Sequence, residues 1–258
     1  MEKTRFLHAG QRITEIWYNA GVMIAAVNPT TTELEAELAS LLPDWIALEP
    51  GRWQRVQYAL RRLESTGPVF PTFESFVEWV DEDTSAEWIE GEVCFMSPAS
   101  TRHQLIVGLL APLMRAFVES GQLGTVLTAP YKMKIPGYGA EPDILFVATA
   151  NESQIRRTYL DGPADLVVEI ISPESVERDR IRKYNDYEAA GVGEYWLIDP
   201  ERETAEGYTL TNGRYQRIEP AGDALASAIL PGFVLPLAWL RLGQQPTLIE
   251  ALRSMGIL

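Results

Sequence analysis

Hydrophobic and polar positions along this chain follow two different periods. From Arg102 to Ser120 a leucine or phenylalanine recurs every four residues, which predicts a long helix that Gly121 is placed to end. A second helix is predicted over Glu177–Ala190. Strand-like runs cover Thr125–Ile135, Ile144–Val147, Leu166–Ile171 and Glu194–Ile198. Because a helix separates the last two runs, we expect a parallel connection and an α/β (α+β) fold, in which helices flank a mixed β-sheet core.

Shorter elements are predicted on both sides of this central part. Phe73–Val80 has the pattern of a short helix, and Ala86–Met96 that of two strands meeting near Gly91. Tyr208–Ile218 is typical of a hairpin, because Asn212-Gly213 favours a type I′ turn.

The first 70 residues have a different pattern from the rest. Leucines at helical spacing predict helices over Thr32–Leu42 and Trp53–Leu63, and Gly67-Pro68 and Pro71 then interrupt the chain. We therefore predict two parts, a mostly helical N-terminal extension over residues 1–70 and a main domain over residues 71–258.

Composition is that of a globular protein, but the charge is unusual. Apolar residues make up 46% and charged residues 22% of the 258 positions, which excludes collagen-like and wholly disordered classes. The net charge is −14, and residues 71–100 hold eight acidic residues and no basic one. This balance counts against a nucleic-acid partner unless metal ions or a local basic patch intervene.

Cysteine content and hydropathy bear on the compartment. Cys94 is the single cysteine and cannot form an intramolecular disulfide, which favours a reducing, cytoplasmic location. The N-terminus has no apolar signal region, and prolines interrupt the longest uncharged stretch, Ala224–Leu240. We expect no membrane-spanning segment.

The run Asp165–Ile171 contains the first candidate for chemistry. Its continuous aliphatic character predicts a strand buried on both faces, where the Glu169 carboxylate needs a compensating partner. An ion pair with a nearby arginine and a functional role are equally open from this segment alone.

A second carboxylate, Asp143, enters the neighbouring aliphatic run Ile144–Val147 directly after Pro142. Two acids on adjacent buried strands repel each other, and they offer the hard oxygen ligands that Mg²⁺ or Mn²⁺ prefers. The pair therefore favours a metal site.

Lys183 lies on the helix that follows the Glu169 strand, one turn from both Asp179 and Tyr187. One interpretation is an ordinary surface pair with Asp179. The other places the ammonium in the carboxylate cluster, where it could orient a water or stabilise charge on a phosphate.

These segments together resemble the Uma-type family of bacterial endonucleases, assigned to the PD-(D/E)XK restriction-endonuclease-like fold. The resemblance covers roughly residues 72–240. It rests on Glu141-Pro142-Asp143, residues 165–173, Asp179 with Lys183 and Tyr187, and residues 191–200, with upstream support from residues 89–92, Met96-Ser97-Pro98 and Arg102-His103.

The resemblance implies a metal-dependent endonuclease acting on nucleic acid, with DNA the expected substrate. In the usual signature a lysine follows the second acid after one spacer, but here Ile170 and Ile171 follow Glu169. Asp143 and Glu169 would then hold Mg²⁺ or Mn²⁺, and Lys183 would be the displaced catalytic lysine. The family pattern also offers Glu92 as a third ligand, although a solvated carboxylate is the simpler interpretation.

Two further residues are candidates for accessory roles. His103 could transfer a proton or contact substrate, but a structural hydrogen bond is the commoner role for one histidine. The ring of Tyr187 is expected to pack under its helix, and Tyr195-Trp196 is expected to belong to the core rather than to stack on bases.

Other functions stay open at this point. A non-catalytic nucleic-acid-binding or regulatory module would agree with the net charge of −14 and the missing acid-spacer-lysine triplet. A glycosidase with paired carboxylates would explain neither the lysine nor the mixed sheet. An endonuclease could form a basic rim from Arg156, Arg157, Arg178, Arg180, Arg182 and Lys183. It could also act as a homodimer, with the N-terminal helices as a candidate interface.

Overall fold

The computed structural model describes residues 68–81, 84–172, 175–241 and 243–258. All of these residues from Val69 onward belong to the compact unit Val69–Leu258. The helices predicted over Thr32–Leu42 and Trp53–Leu63 lie outside the described residues, so the division at residue 70 stays a prediction.

The described part alternates helices and short strands. The helices are α1 (Phe73–Trp79), α2 (Thr101–Gly121), a π-helix (Arg178–Lys183) that leads into α3 (Tyr184–Ala190), and α4 (Leu248–Ser254), with 3₁₀ turns at Thr149–Gln154 and Leu237–Leu240. The strands are β1 (Ala86–Ile89), β2 (Glu92–Phe95), β3 (Gly124–Thr128), β4 (Lys132–Ile135), β5 (Tyr138–Ala140), β6 (Ile144–Ala148), β7 (Tyr159–Asp161), β8 (Leu166–Ile170), β9 (Glu194–Asp199), β10 (Thr204–Thr211), β11 (Arg214–Ile218), β12 (Ala224–Ala226) and β13 (Val234–Pro236).

A six-stranded sheet forms the centre, in the order β11-β10-β9-β8-β6-β3. Strands β8 and β9 are parallel, and the other neighbouring pairs are antiparallel. The parallel pair arises because the π-helix and α3 return the chain to the starting edge of β8, as a helical crossover must. The predicted mixed sheet is thus confirmed.

Alternation along β8 divides its side chains between two apolar clusters. Leu166, Val168 and Ile170 pack on the side that also holds residues of α2 and α4. Val167 and Ile171 pack on the other side, with Tyr187 of α3. Because Glu169 shares the parity of Val167 and Ile171, its side chain points to the α3 side of the sheet.

Helix α2 is the principal helix of the core. Seven of its residues, among them Leu113 and Met114, are buried. It is long and apolar enough to span a membrane by length and composition alone, but a core helix meets the same criterion, and α2 packs against the sheet. The helix ends one residue later than predicted, since Gln122 rather than Gly121 takes the left-handed cap conformation.

The run predicted as one strand over Thr125–Ile135 is two strands in different sheets. β3 joins the six-stranded sheet, whereas β4 joins a second sheet of order β2-β1-β5-β4-β7. Pro130 separates them because it has no backbone N–H to continue a ladder, and the Tyr131 N–H closes the turn on the Thr128 carbonyl at 3.1 Å. The turn therefore brings the two sheets together beside Asp143, whose carbonyl accepts from the Ala129 N–H.

The hairpin predicted near the C-terminal end is confirmed. β10 and β11 pair antiparallel from Gly207↔Ile218 to Thr211↔Arg214. Asn212 and Gly213 have φ values of 52° and 76°, and two positive φ values are what a type I′ turn requires.

Candidate active site

A cleft of about 630 Å³ opens between the loop that precedes α2 and the segment that carries the π-helix. Asp143, Glu169 and Lys183, the three residues predicted to carry catalysis, all line it. His103 lines it as well. The cleft therefore brings together side chains from four separate stretches of the chain.

Glu169 is almost completely buried in the middle of the central sheet. Its Oε1 accepts a hydrogen bond of 2.8 Å from the Tyr187 hydroxyl and lies 2.8 Å from the Lys183 ammonium. No arginine within the described residues forms an ion pair with it at 4 Å or less. Its compensating partners are therefore the lysine and the tyrosine of the following helix.

Asp143 lies directly before β6 and is fixed from two sides. Its Oδ2 accepts a hydrogen bond of 2.7 Å from the Ile170 N–H, which ties it to the end of β8. Its Oδ1 lies 3.0 Å from His103 Nε2. These contacts hold Asp143 next to Glu169, whose pKa it helps to raise.

His103 is placed by the start of α2. Its backbone N–H donates to the side chain of Ser100, the N-cap residue, at 3.1 Å. Within the described structure its Nδ1 is buried without a hydrogen-bond partner. His103 thus contacts Asp143 inside the cleft, and its role stays a prediction.

Lys183 joins the acids of the cleft. Its Nζ lies 2.8 Å from Glu169 Oε1, 3.1 Å from Glu87 Oε1 and 3.6 Å from Asp179 Oδ1, and only 1% of its side chain is exposed. The contact one turn away, with Asp179, is the longest of the three. The ammonium therefore lies in the carboxylate cluster rather than in a surface pair.

A π-helix carries Lys183, where the sequence pattern predicted regular α-helix. Arg178–Lys183 forms this wider turn before α3 continues to Ala190 and ends at Gly191, which has a φ of 92°. Asp179 and Lys183 are the two buried residues of the π-helix. Such turns occur at functional sites because the extra residue changes which side chains share a face.

Glu87 was not among the predicted site residues. It lies on β1, is fully buried, and accepts a hydrogen bond of 3.3 Å from the Glu141 N–H besides its contact with Lys183. Alternation along β1 turns Trp88 toward the aromatic cluster of α1, so Glu87 faces the other way. That alternation is the one sequence signal that could have identified it.

Burial raises the pKa of Glu169 to about 8, from an ordinary value of 4.5. Lys183 opposes this rise in pKa, and the carboxylates of Asp143, Asp179 and Glu87 contribute to it. Burial of the carboxyl group is thus the main cause of its raised pKa, and the negative charge of the neighbouring acids is a smaller one.

Glu87 shows the opposite shift. Burial disfavours its charged form, but Lys183 and Arg178 outweigh burial and lower its pKa. Burial likewise disfavours the charged form of Lys183, yet Glu169 and Glu87 raise its pKa well above the ordinary value. Lys183 and Glu87 therefore form a charged pair.

The side chains of the cluster fit a Mg²⁺-type cation that keeps several of its waters better than a cation held entirely by protein ligands. Four acids, Glu87, Asp143, Glu169 and Asp179, face Lys183 and Arg178, which leaves negative charge uncompensated. Across the described ranges no three His, Cys, Asp or Glu side chains are arranged as metal ligands. Mg²⁺ keeps several waters and needs only one or two carboxylates, which Asp143 and Glu169 can supply.

The structure does not bring Glu92 to this site. Its side chain is exposed at the start of β2, and it is absent from the described residues that line the cleft. Tyr195 and Trp196 are fully buried, as the core interpretation predicted.

The arginines expected to form a basic rim are mostly paired with acids. Arg178 and Lys183 are the basic residues among the described cleft lining. Ion pairs join Arg156 to Asp161, Arg178 to Asp179, Arg180 to Glu206 and Asp199, and Arg182 to Asp186. Asp161, Asp179 and Asp186 lie within five residues of their arginines, whereas Glu206 and Asp199 come from other elements. Because Arg178 is the one arginine among the described cleft lining, the described residues form no positive rim there.

Comparison with known proteins agrees with this geometry. A family model described as "Uma2: Putative restriction endonuclease" matches residues 73–238, which is more than half of the chain. No curated protein matches the sequence significantly. A crystal structure titled as "a putative nuclease belonging to DUF820" from Anabaena variabilis ATCC 29413 matches with a TM-score of 0.57 and 17% identity, over 66% of this chain and 96% of that one. At this identity the likeness concerns the fold. The resemblance drawn from the sequence motifs is thus confirmed, and the chain belongs to the Uma2 family.

Proposed function

We propose that the protein is a metal-dependent endonuclease that hydrolyses phosphodiester bonds of nucleic acid, with DNA as the expected substrate. The observation that carries the proposal is the distance of 2.8 Å between Lys183 Nζ and Glu169 Oε1, in a cleft that Asp143 shares. Two acids and a lysine are the side-chain types that this chemistry needs, and family membership supports the same assignment.

Asp143 and Glu169 would hold Mg²⁺ or Mn²⁺ through one carboxylate oxygen or both. When bound, such a cation stabilises charge on a phosphate and makes a water more acidic. His103 and the Ile170 N–H fix Asp143, while Tyr187 fixes Glu169. Each acid is therefore oriented before any ligand arrives, which lowers the entropy cost of binding.

Lys183 would stabilise the negative charge that develops on the phosphate or orient the attacking water. Glu169 and Glu87 raise the pKa of Lys183, so the side chain stays protonated and positively charged. Because the ammonium is almost completely buried, its field is screened less than that of a surface lysine.

The test compares nicking of plasmid DNA in Mg²⁺ or Mn²⁺ by the unaltered protein and by Asp143→Asn. We expect the variant to lose at least about a hundredfold in rate, because one metal ligand loses its charge. Asp165→Asn is the matched control, since Asp165 also accepts a strand-end N–H, from Ala148 at 2.7 Å, but lies outside the cleft lining. Equal nicking by all three proteins would remove the proposal.

A non-catalytic module that keeps the fold is the second candidate. Its support is the charge of the cleft, where Glu141, Asp143, Glu169 and Asp179 outnumber Arg178 and Lys183. This candidate predicts Mn²⁺ binding without any nicking, whereas the endonuclease requires both.

A further inference from the structure

Two exposed aromatic rings lie beside the cleft. Phe95, the last residue of β2, is 52% exposed and lines the same cleft as Asp143 and Lys183. Trp79, at the end of α1, is 41% exposed, and its ring centroid lies 6.4 Å from that of Phe95. Across the described ranges no other aromatic side chain is as exposed as these two. Exposed apolar surface concentrated at a cleft is typical of a binding site.

The Phe95 ring packs against a group of further aromatic rings. It meets Trp79 nearly edge to face, at an interplanar angle of 74°. The ring centroid of Trp79 in turn lies 5.1 Å from that of Phe70 and 6.3 Å from that of the fully buried Phe76. The contact with Trp79 leaves about half of Phe95 exposed, and an aromatic side chain has few rotamers to lose on binding.

The charge of the cleft argues against binding through phosphates alone. Both basic residues of its lining are engaged by acids, Arg178 by Asp179 and Lys183 by Glu87 and Glu169. Proteins that bind duplex DNA gain most of their non-specific affinity from lysine and arginine contacts to phosphates. Stacking on an aromatic ring needs no positive charge, but it needs a base whose face is free.

We infer that Phe95, supported by Trp79, stacks on an unpaired base next to the phosphodiester that enters the cleft, so that the substrate class is single-stranded or locally unpaired nucleic acid. The inference rests on the proposed endonuclease function for the identity of the cleft. It adds a binding residue that the catalytic residues do not include.

The test is equilibrium binding of the full chain to a fluorescein-labelled oligothymidylate and to a duplex of equal length. Ca²⁺ replaces Mg²⁺, since it takes the same oxygen ligands. We expect the single strand to bind at least about tenfold more tightly than the duplex. Phe95→Leu keeps an apolar side chain without the ring and should lose about tenfold in single-strand affinity, whereas Phe95→Tyr should bind nearly as the unaltered protein does.

Ile249→Ala is the matched control, because Ile249 is 49% exposed on α4 and outside the cleft lining. It should leave both affinities unchanged. Tighter duplex binding, or equal single-strand binding by Phe95→Leu, Phe95→Tyr and the unaltered protein, would overturn the inference. A change in oligomeric mass on Phe95→Leu without a change in binding would overturn it too, because the rings would then cover a protein interface.

Failure of this inference can be told apart from failure of the endonuclease proposal. If Asp143→Asn abolishes nicking while Phe95→Leu changes neither nicking nor binding, the nuclease stands and the stacking site falls. If single strands bind through Phe95 but no protein sample nicks DNA, the stacking site stands without catalysis.

Discussion

Oε1 of Glu87 lies 3.1 Å from Nζ of Lys183, and both side chains are almost completely removed from solvent. Glu169 contacts the same ammonium at 2.8 Å. Lys183 thus contacts an acid on β1 of the second sheet and an acid on β8 of the central sheet. Its position depends on both.

Replacing Glu87 by glutamine should therefore displace the ammonium of Lys183 toward Glu169. We expect the rate of phosphodiester cleavage to fall by about 10- to 100-fold, the range found when a group that orients a catalytic ligand is removed. Steady-state nicking assays should show the loss in kcat rather than in KM. Glu92→Gln, an exposed acid of the same hairpin, is the control and should keep nearly full activity.

Removal of the Tyr187 hydroxyl should affect both stability and activity. Tyr187→Phe keeps the buried ring but removes the 2.8 Å hydrogen bond to Glu169, at a cost of about 1 to 3 kcal/mol in the free energy of unfolding. Urea denaturation measures that cost, and nicking assays should show a loss of activity. Tyr215→Phe removes a comparable bond, to the Val192 carbonyl at 3.0 Å, and should cost stability without activity. Equal activity losses in the two variants would mean that the Tyr187 bond has no special role.

The raised pKa of Glu169 predicts how stability changes with pH in metal-free buffer. In the folded protein the Glu169 carboxyl group keeps its proton up to about pH 8, whereas in the unfolded chain it loses that proton near pH 4.5. The folded state therefore binds more protons in this window, and the free energy of unfolding should fall as pH rises, by up to about 1.4 kcal/mol per pH unit.

Denaturation curves between pH 5 and 8 measure this slope, and Glu169→Gln should flatten it. The lowered pKa of Glu87 acts in a different window, because its contribution is lost only as pH falls below 4.5. Stability that stays level from pH 5 to 8 in the unaltered protein would contradict the raised pKa of Glu169.

A second buried carboxylate, Glu194, should matter for stability alone. It accepts hydrogen bonds from Trp196 Nε1, the Ser227 hydroxyl and the N–H groups of Ala228 and Ile229. Glu194→Ala leaves these donors without their acceptor and should lower the free energy of unfolding by at least about 3 kcal/mol. Glu250→Ala, which removes an exposed capping residue of α4, should cost much less stability. Comparable losses at the two positions would contradict this role for Glu194.

The parts of the fold that follow from local pattern were predictable from the sequence. Strands β8 and β9 are continuous apolar runs, and their burial requires nothing beyond that pattern. The turn at Asn212-Gly213 was equally clear, because its residues tolerate positive φ. The division of Thr125–Ile135 was missed, since which sheet a strand joins depends on its partners in space.

The site was predictable only in part, for a similar reason. Asp143 and Glu169 stood out because a charge within an aliphatic run needs an explanation. Glu87 did not, because it lies among eight acids in residues 71–100 and only the packing of the second sheet buries it. The pairing of Arg180 with Glu206 likewise joins elements that no local pattern connects.

Ile171 occupies the position at which the usual signature of this fold places its lysine, and it is buried in the core with Tyr187 and Val167. With the Lys183 ammonium on the π-helix, the two residues that follow Glu169, Ile170 and Ile171, are both apolar and buried in the core. A lysine at position 171 would instead bring an ammonium group into the apolar cluster around Tyr187, where it would be costly without a partner.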